Sequence, residues 1–232
     1  MLNRLQENTS ILNKSVENYC KRCNYPLRDN RCLNCEKVKA IKKESDNFQA
    51  MLLGGKKPME VFTLEKFLAT KNNKAAIEFA KAFDPTKDSW YLYGPTGSGK
   101  THLATATIRR FYVPNEDRFI VEKASNLPRE VRRGMYSKDP DGESSAIYRF
   151  IRADYLMIDD LGVGKDTEYS LTIFHEILDG RDLSMKNGMI ITSNLSLDQL
   201  GNKLKDDRIP SRIAGLCKVM SLEEEIDHRM VG

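Results

Sequence analysis

Gly94-Pro95-Thr96-Gly97-Ser98-Gly99-Lys100-Thr101 satisfies the spacing G-x-x-x-x-G-K-[ST]. Its glycines let the backbone turn tightly and bring N–H groups against a polyphosphate. Lys100 is placed to reach the outer phosphates as a point charge, and is expected to meet phosphate and nothing else. The Thr101 hydroxyl is placed to bind Mg²⁺. His102 follows directly and is counted with the loop as a nucleotide contact. Further along, Asp154-Tyr155-Leu156-Met157-Ile158-Asp159-Asp160 is an apolar run ending in two carboxylates. Asp159 is expected to hold Mg²⁺ through water, and Asp160 to orient an attacking water. Two solvated acids at a strand end are the plain alternative, but an acidic strand end at this distance after a phosphate loop favours a nucleotide site. Together the two stretches predict ATP and Mg²⁺ as ligands.

A second cluster has different chemistry. Cys20-Lys21-Arg22-Cys23 and Cys32-Leu33-Asn34-Cys35 enclose eight residues, which is tetrathiolate zinc spacing. Each pair forms a turn presenting two sulfurs, and two turns close a tetrahedron around structural Zn²⁺. Metal binding supplies such a small knuckle with on the order of 10 kcal/mol of folding energy. The alternatives are two disulfides, or a site that has lost its metal. Cys217 stands apart and reads as a small core residue. His102, His175 and His228 are scattered, without metal-ligand spacing.

The elements that must carry these residues follow from periodicity. Trp90–Tyr93 reads as a buried strand before the glycine loop. Leu103, Ala104, Thr107, Ile108 and Phe111 fall at helical spacing after it. Strand, loop, helix is the order phosphate binding requires. Residues 118–123 and 217–222 read as further strands, and Met189–Ser193 as a buried strand ending at Asn194, within reach of an outer phosphate. Helices are expected at 125–136, 144–152 and 167–183, and from Leu197. Arg129, Arg132, Arg133, Lys138, Arg149 and Arg152 form either a basic face for single-stranded nucleic acid or a solvated surface. In residues 59–84 the apolar side chains Ile77, Phe79 and Phe83 read as core.

With 40% hydrophobic and 30% charged residues, the 232-residue chain has the composition of an ordinary globular protein. No run of about 18 apolar residues is present, and the N-terminus lacks the apolar centre of a signal peptide. A cytoplasmic protein with no membrane partner is expected. Residues 1–60 hold 12 Lys and Arg against 7 Asp and Glu, a net of +5, while the remainder nets −1. The basic excess points an acidic partner to the N-terminal part first, although a solvated surface explains so modest an excess as well. Gly54-Gly55-Lys56-Lys57-Pro58 reads as a linker. The expected domains are 1–55, a zinc-binding part with its linker, and 56–232, an α/β nucleotide-binding part.

Taken together, GPTGSGKTHLA, YLMIDDLG, IITSN and RIPSRI resemble the AAA+ ATPases of the helicase-loader and initiator branch. The likeness is to the DnaC/DnaI-type loaders and the related IstB-type transposition helpers, over roughly residues 60–230. It implies a three-layer α/β sandwich with a parallel sheet. It implies that Asn194 is the sensor of the outer phosphate, that Arg212 is an arginine finger entering a neighbour's site, and that Arg208 contributes second. It places Asn73 in a segment lining the base. The second motif ends Asp-Asp where AAA+ proteins generally have Asp-Glu. Only eleven residues follow Ser221, too few for the helical lid of most AAA+ proteins, so the site is expected to stay open until a neighbour closes it. The function implied is an ATPase that loads a hexameric replicative helicase. The partners are that helicase, single-stranded DNA and further copies of the chain. An ATPase helper for transposition is an alternative on the same fold. A nucleotide-gated binding module with little hydrolysis is an alternative of another class.

Overall fold

Short apolar runs flanked by turns become strands when helices cover both faces of a sheet. The computed structural model describes residues 63–111, 119–135, 142–164 and 167–222, all within one compact unit, Met59–Gly232. The strands are β1 (Trp90–Tyr93), β2 (Phe119–Lys123), β3 (Tyr155–Leu161), β4 (Met189–Ser193) and β5 (Lys218–Ser221). They pair in the order β2-β3-β4-β1-β5, and every pair is parallel. Parallel neighbours need crossover connections. Here they are made by α2 (Lys100–Ile108), α3 (Leu127–Met135), α4 (Gly142–Arg152), α5 (Glu168–Leu183), α6 (Leu197–Leu204) and α7 (Arg208–Leu216), while α1 (Lys74–Ala82) precedes β1.

The strand pleat sends alternate residues to opposite layers. Tyr91, Leu156, Ile158 and Ile191 join Ile173, Ile177 and Leu178 of α5 and Ile209 and Ile213 of α7 in one cluster. Met157, between Leu156 and Ile158, faces the other way and meets the Thr105 hydroxyl of α2 at 3.9 Å. The result is the expected helix–sheet–helix sandwich. Cys217 is buried, and burial pushes its thiol pKa up to about 12, so it stays an inert core group. Among the described residues no helix is long and apolar enough to cross a membrane.

Two helices begin on reciprocal caps. Thr167 Oγ1 accepts from the Ser170 N–H while Ser170 Oγ accepts from the Thr167 N–H, at 3.1 and 2.8 Å. Ser196 and Gln199 do the same for α6.

Arg181 of α5 is fully buried. Its guanidinium donates to the carbonyls of Phe150, Ile151 and Ala153 at 3.1, 3.1 and 2.8 Å, and to that of Asn187 at 2.5 Å. The first three lie at the C-terminal end of α4, whose last carbonyls have no partner in their own helix. Burial lowers its pKa to about 10, so it remains charged at neutral pH. Arg181→Met keeps much of the volume but leaves buried carbonyls without a donor. Each such group costs about 1–3 kcal/mol, against the roughly 5–15 kcal/mol that holds a domain together. The urea midpoint is expected to fall by about a third or more, with an unchanged slope. Arg181→Lys restores little, because an ammonium cannot fork to four carbonyls. An unaltered midpoint in Arg181→Met contradicts this role.

Candidate nucleotide site

In an all-parallel sheet the carboxyl ends of the strands lie along one edge. The loop after β1, the acidic end of β3 and the end of β4 therefore converge. Two glycines make the loop possible. Gly94 has φ +153°, and a Cβ there would lie 2.2 Å from the Leu222 carbonyl oxygen. Gly99 caps α2 in the left-handed region, with φ +88°, and a Cβ there would lie 2.8 Å from the Phe67 ring. Pro95, Thr96, Gly97 and Ser98 complete the turn between them. Lys100 opens α2 and is only 5% exposed. Its ammonium donates to the Gly94 and Pro95 carbonyls at 2.9 and 2.7 Å, with Ser98 Oγ at 3.4 Å. The lysine thus braces the loop from within, besides offering its charge; the expectation that it meets only phosphate is corrected.

Thr101, one residue into α2, donates its hydroxyl to Asp159 Oδ1 at 2.9 Å. The same oxygen accepts from Thr192 Oγ1 of β4 at 2.6 Å. Asp159 is 6% exposed, and burial raises its pKa; the neighbouring Asp160 charge adds to the rise, while both hydroxyls and Lys123 oppose it. Its ionisation therefore costs the fold, a cost that a bound cation would offset. A hydroxyl and a carboxylate in contact are oxygen donors suited to a hard divalent ion, so Thr101 and Asp159 fit Mg²⁺.

Asp160 faces elsewhere. The β3–β4 register shifts between Ile158 and Leu161, and Asp160 takes φ +60°. Its amide donates to Thr192 Oγ1 at 3.0 Å, and its half-exposed carboxylate lies 3.8 Å from Lys123 Nζ at the end of β2. One acid is sunk against hydroxyls while the next turns outward beside an ammonium. Asn194 lies half-buried just past β4. Beside it, Ser193 Oγ bonds the Leu161 carbonyl and the Leu195 N–H, at 2.7 and 3.0 Å.

The segment before α1 is tied to the loop. The Phe67 ring meets the His102 ring edge-on at 5.1 Å, and His102 Nε2 is 3.1 Å from the Thr63 carbonyl oxygen. Burial lowers the His102 pKa, so the ring is neutral at pH 7. His102 thus holds Thr63–Phe67 against the start of α2. Asn73 is fully buried, and its side chain serves the turn before α1: Nδ2 donates to the Leu68 carbonyl and Oδ1 accepts from the Thr70 N–H, both at 2.8 Å.

Arg208 and Arg212 lie on α7. Arg212 makes ion pairs with two aspartates of α5: its Nε lies 2.7 Å from Asp179 Oδ1 and its Nη1 3.0 Å from Asp182 Oδ2. Arg208 forks onto Asp206, which His175 also contacts. These bonds hold the Asp206 carboxyl well below the usual carboxylate range. A cleft of about 560 Å³ runs between α5 and α7, lined by His175, Glu176, Asp179, Arg208 and Arg212 among others. No residue of the glycine loop or of β3 lines it.

The sequence pattern missed Thr192, Lys123, Phe67, Asp179 and Asp182. Only Thr192 left a signal: a hydroxyl in a strand of Met and Ile, two positions before Asn194. Cys20, Cys23, Cys32 and Cys35, and Lys138, lie outside the described residues.

This architecture and edge define a P-loop domain of the AAA+ type. The chain belongs to the IstB-like ATP binding protein family, whose pattern matches residues 56–226. It is 26% identical over 183 residues to the chromosomal replication initiator protein DnaA of Mycoplasma pneumoniae, covering 70% of this chain and 40% of that one. It is 26% identical over 141 residues to the replicative helicase loader DnaC of Buchnera aphidicola subsp. Schizaphis graminum, covering 60% and 56%. The chain thus spans about half the length of the curated relatives it matches. Among solved structures, a DnaC helicase loader superposes with a TM-score of 0.58 at 21% identity, over 69% of this chain and 96% of that one.

Proposed function

We propose that this protein is a cytoplasmic ATPase that loads a hexameric replicative helicase onto single-stranded DNA at the start of replication. Lys100 and the Gly94–Thr101 loop bind the phosphates, Thr101 and Asp159 hold Mg²⁺, Asp160 orients the attacking water, and Asn194 senses the outer phosphate. One observation carries the assembly part of this reading. Arg208 and Arg212 engage α5 and Asp206, in a cleft that holds none of the nucleotide-site residues. That placement supports a role for Arg212 at another copy's nucleotide, with side-by-side assembly completing each site.

The α3–α4 hairpin supports a single-stranded DNA surface. Arg129, Arg132 and Arg133 lie on α3 and Arg149 and Arg152 on α4, where Tyr148 is 54% exposed and the Arg152 guanidinium sits 5.2 Å from its ring centre. Exposed aromatics with guanidinium groups suit stacked, unpaired bases. Residues 1–55 form the helicase-docking part, with Zn²⁺ on Cys20, Cys23, Cys32 and Cys35. The family description gives substance to a second reading, an ATPase helper for a transposase; the Cys₄ spacing favours the loader.

Freshly prepared, reduced full-length protein is expected to carry one Zn²⁺ per chain. It should co-elute with the hexameric helicase encoded in the same genome. Cys20→Ser/Cys23→Ser should lose both metal and helicase while keeping ATP binding. Zinc-free wild-type protein contradicts the metal assignment, and selective capture of a transposase in place of the helicase establishes the second reading.

A further inference from the structure

We propose that Thr192 is the positioning residue of this site, holding both acids of β3 through one hydroxyl. The inference rests on the reading of the site as one for Mg²⁺ and ATP, and gives Thr192 a part in it beyond its place in a buried strand. Thr192 is fully buried in the middle of β4. A buried threonine in a strand must place its hydroxyl somewhere. Here the hydroxyl donates to Asp159 Oδ1 at 2.6 Å and accepts from the Asp160 amide at 3.0 Å. Neither bond serves the sheet ladder itself.

Each bond does something distinct. The donated proton fixes the Asp159 carboxylate from the sheet side, while Thr101 reaches the same oxygen from α2. A hydroxyl that ligates a cation offers it a lone pair and keeps its proton for a neighbouring acceptor. Asp159 can be that acceptor when its carboxylate is held in place, and Thr192 holds it from β4 independently of Thr101. The accepted bond secures the Asp160 amide where the backbone takes φ +60°, a region non-glycine residues enter only when their surroundings hold them. That turn is what sends Asp159 inward and Asp160 outward. One hydroxyl therefore keeps the two acids in different roles. Valine has the same outline but neither bond, and groups that orient metal ligands contribute about 10–100-fold to metal affinity or activity.

The test uses the full chain and a non-hydrolysable ATP analogue, titrated with Mg²⁺ and again in EDTA. Thr192→Val is expected to match wild type in EDTA. It should lose about tenfold or more of the tightening that Mg²⁺ gives, and hydrolyse ATP about 10–100-fold more slowly. Thr192→Ser, which restores the hydroxyl, should recover both to within about threefold. Thr192→Ala is read in the same way if the valine variant fails to melt cooperatively. Mg²⁺-dependent tightening that survives in Thr192→Val, or a serine variant as defective as the valine one, overturns the inference. Lys100→Ala, run in parallel, separates the two levels. If it loses nucleotide while Thr192→Val behaves as wild type, only the positioning role falls. If it binds nucleotide as wild type does, the site itself has been misread.

Discussion

Lys100→Ala is expected to weaken ATP binding by about 30-fold to several thousand-fold. The range corresponds to the roughly 2–5 kcal/mol lost when one partner of a buried, hydrogen-bonded charge pair is removed. The lysine is 5% exposed and its ammonium already sits inside the loop, between the Gly94 and Pro95 carbonyls. A phosphate arriving at the mouth of the loop meets a charge that needs little reorganisation. The two carbonyl bonds raise the question of whether the variant still folds. They brace a loop at the edge of the sheet, and losing them costs about 1–3 kcal/mol each, less wherever water replaces the ammonium. The fold should survive, as a far-ultraviolet spectrum and thermal melt can verify. Fluorescent-nucleotide titration reads the affinity, and an unchanged value removes the phosphate-loop assignment.

Arg212→Ala is expected to bind ATP as wild type does and to lose about 10³–10⁵ of the hydrolysis rate that assembly confers, the contribution arginine fingers make elsewhere. In this chain Arg212 is held by Asp179 and Asp182, with about half of each side chain exposed. Ion pairs this open are worth about 1 kcal/mol or less. The tether is weak enough to release the guanidinium to a phosphate in a drier interface, and its loss is too small to unfold the subunit. Turnover should be slow in dilute protein and rise with assembly on helicase or single-stranded DNA. Mixing Arg212→Ala with Lys100→Ala should restore part of the rate, at interfaces where an intact site meets an intact finger. A dilute monomer that already turns over at the assembled rate, or a silent Arg212→Ala, would falsify the trans mechanism. A nucleotide-gated binding module then becomes the better description.

The glycine loop and the β3 acids could be read from sequence because both are local: the residues that must cooperate are adjacent, and spacing encodes their geometry. The strands carrying them were equally legible, since burial on both faces writes a strand as a continuous apolar run. What spacing could not convey was contact across the sheet. Thr192 meets Asp159 only because β3 and β4 are neighbours, and Lys123 meets Asp160 only because β2 ends beside β3. The same limit explains Lys100, whose loop-bracing bonds depend on how the turn folds back, and Asp179 and Asp182, whose pairing with Arg212 requires α5 and α7 to pack. Helical spacing in α5 carries no mark of the burial of Arg181, which follows from the carbonyls left unsatisfied at the end of α4.

The strand order also bears on how the chain comes together during synthesis. The sheet neighbours of β1 are β4 and β5, never β2 or β3. The Met189 N–H, which opens β4, bonds the Ser89 hydroxyl 100 residues earlier in the chain. A ribosome adding about 5–20 residues per second takes on the order of ten seconds to cover that interval. Throughout it, the strand bearing the glycine loop has no partner to pair with. The phosphate loop is thus among the first parts of the domain to be made and among the last to acquire its setting. Binding of nucleotide to a nascent chain would report that the whole sheet has closed, not that its motif has been translated.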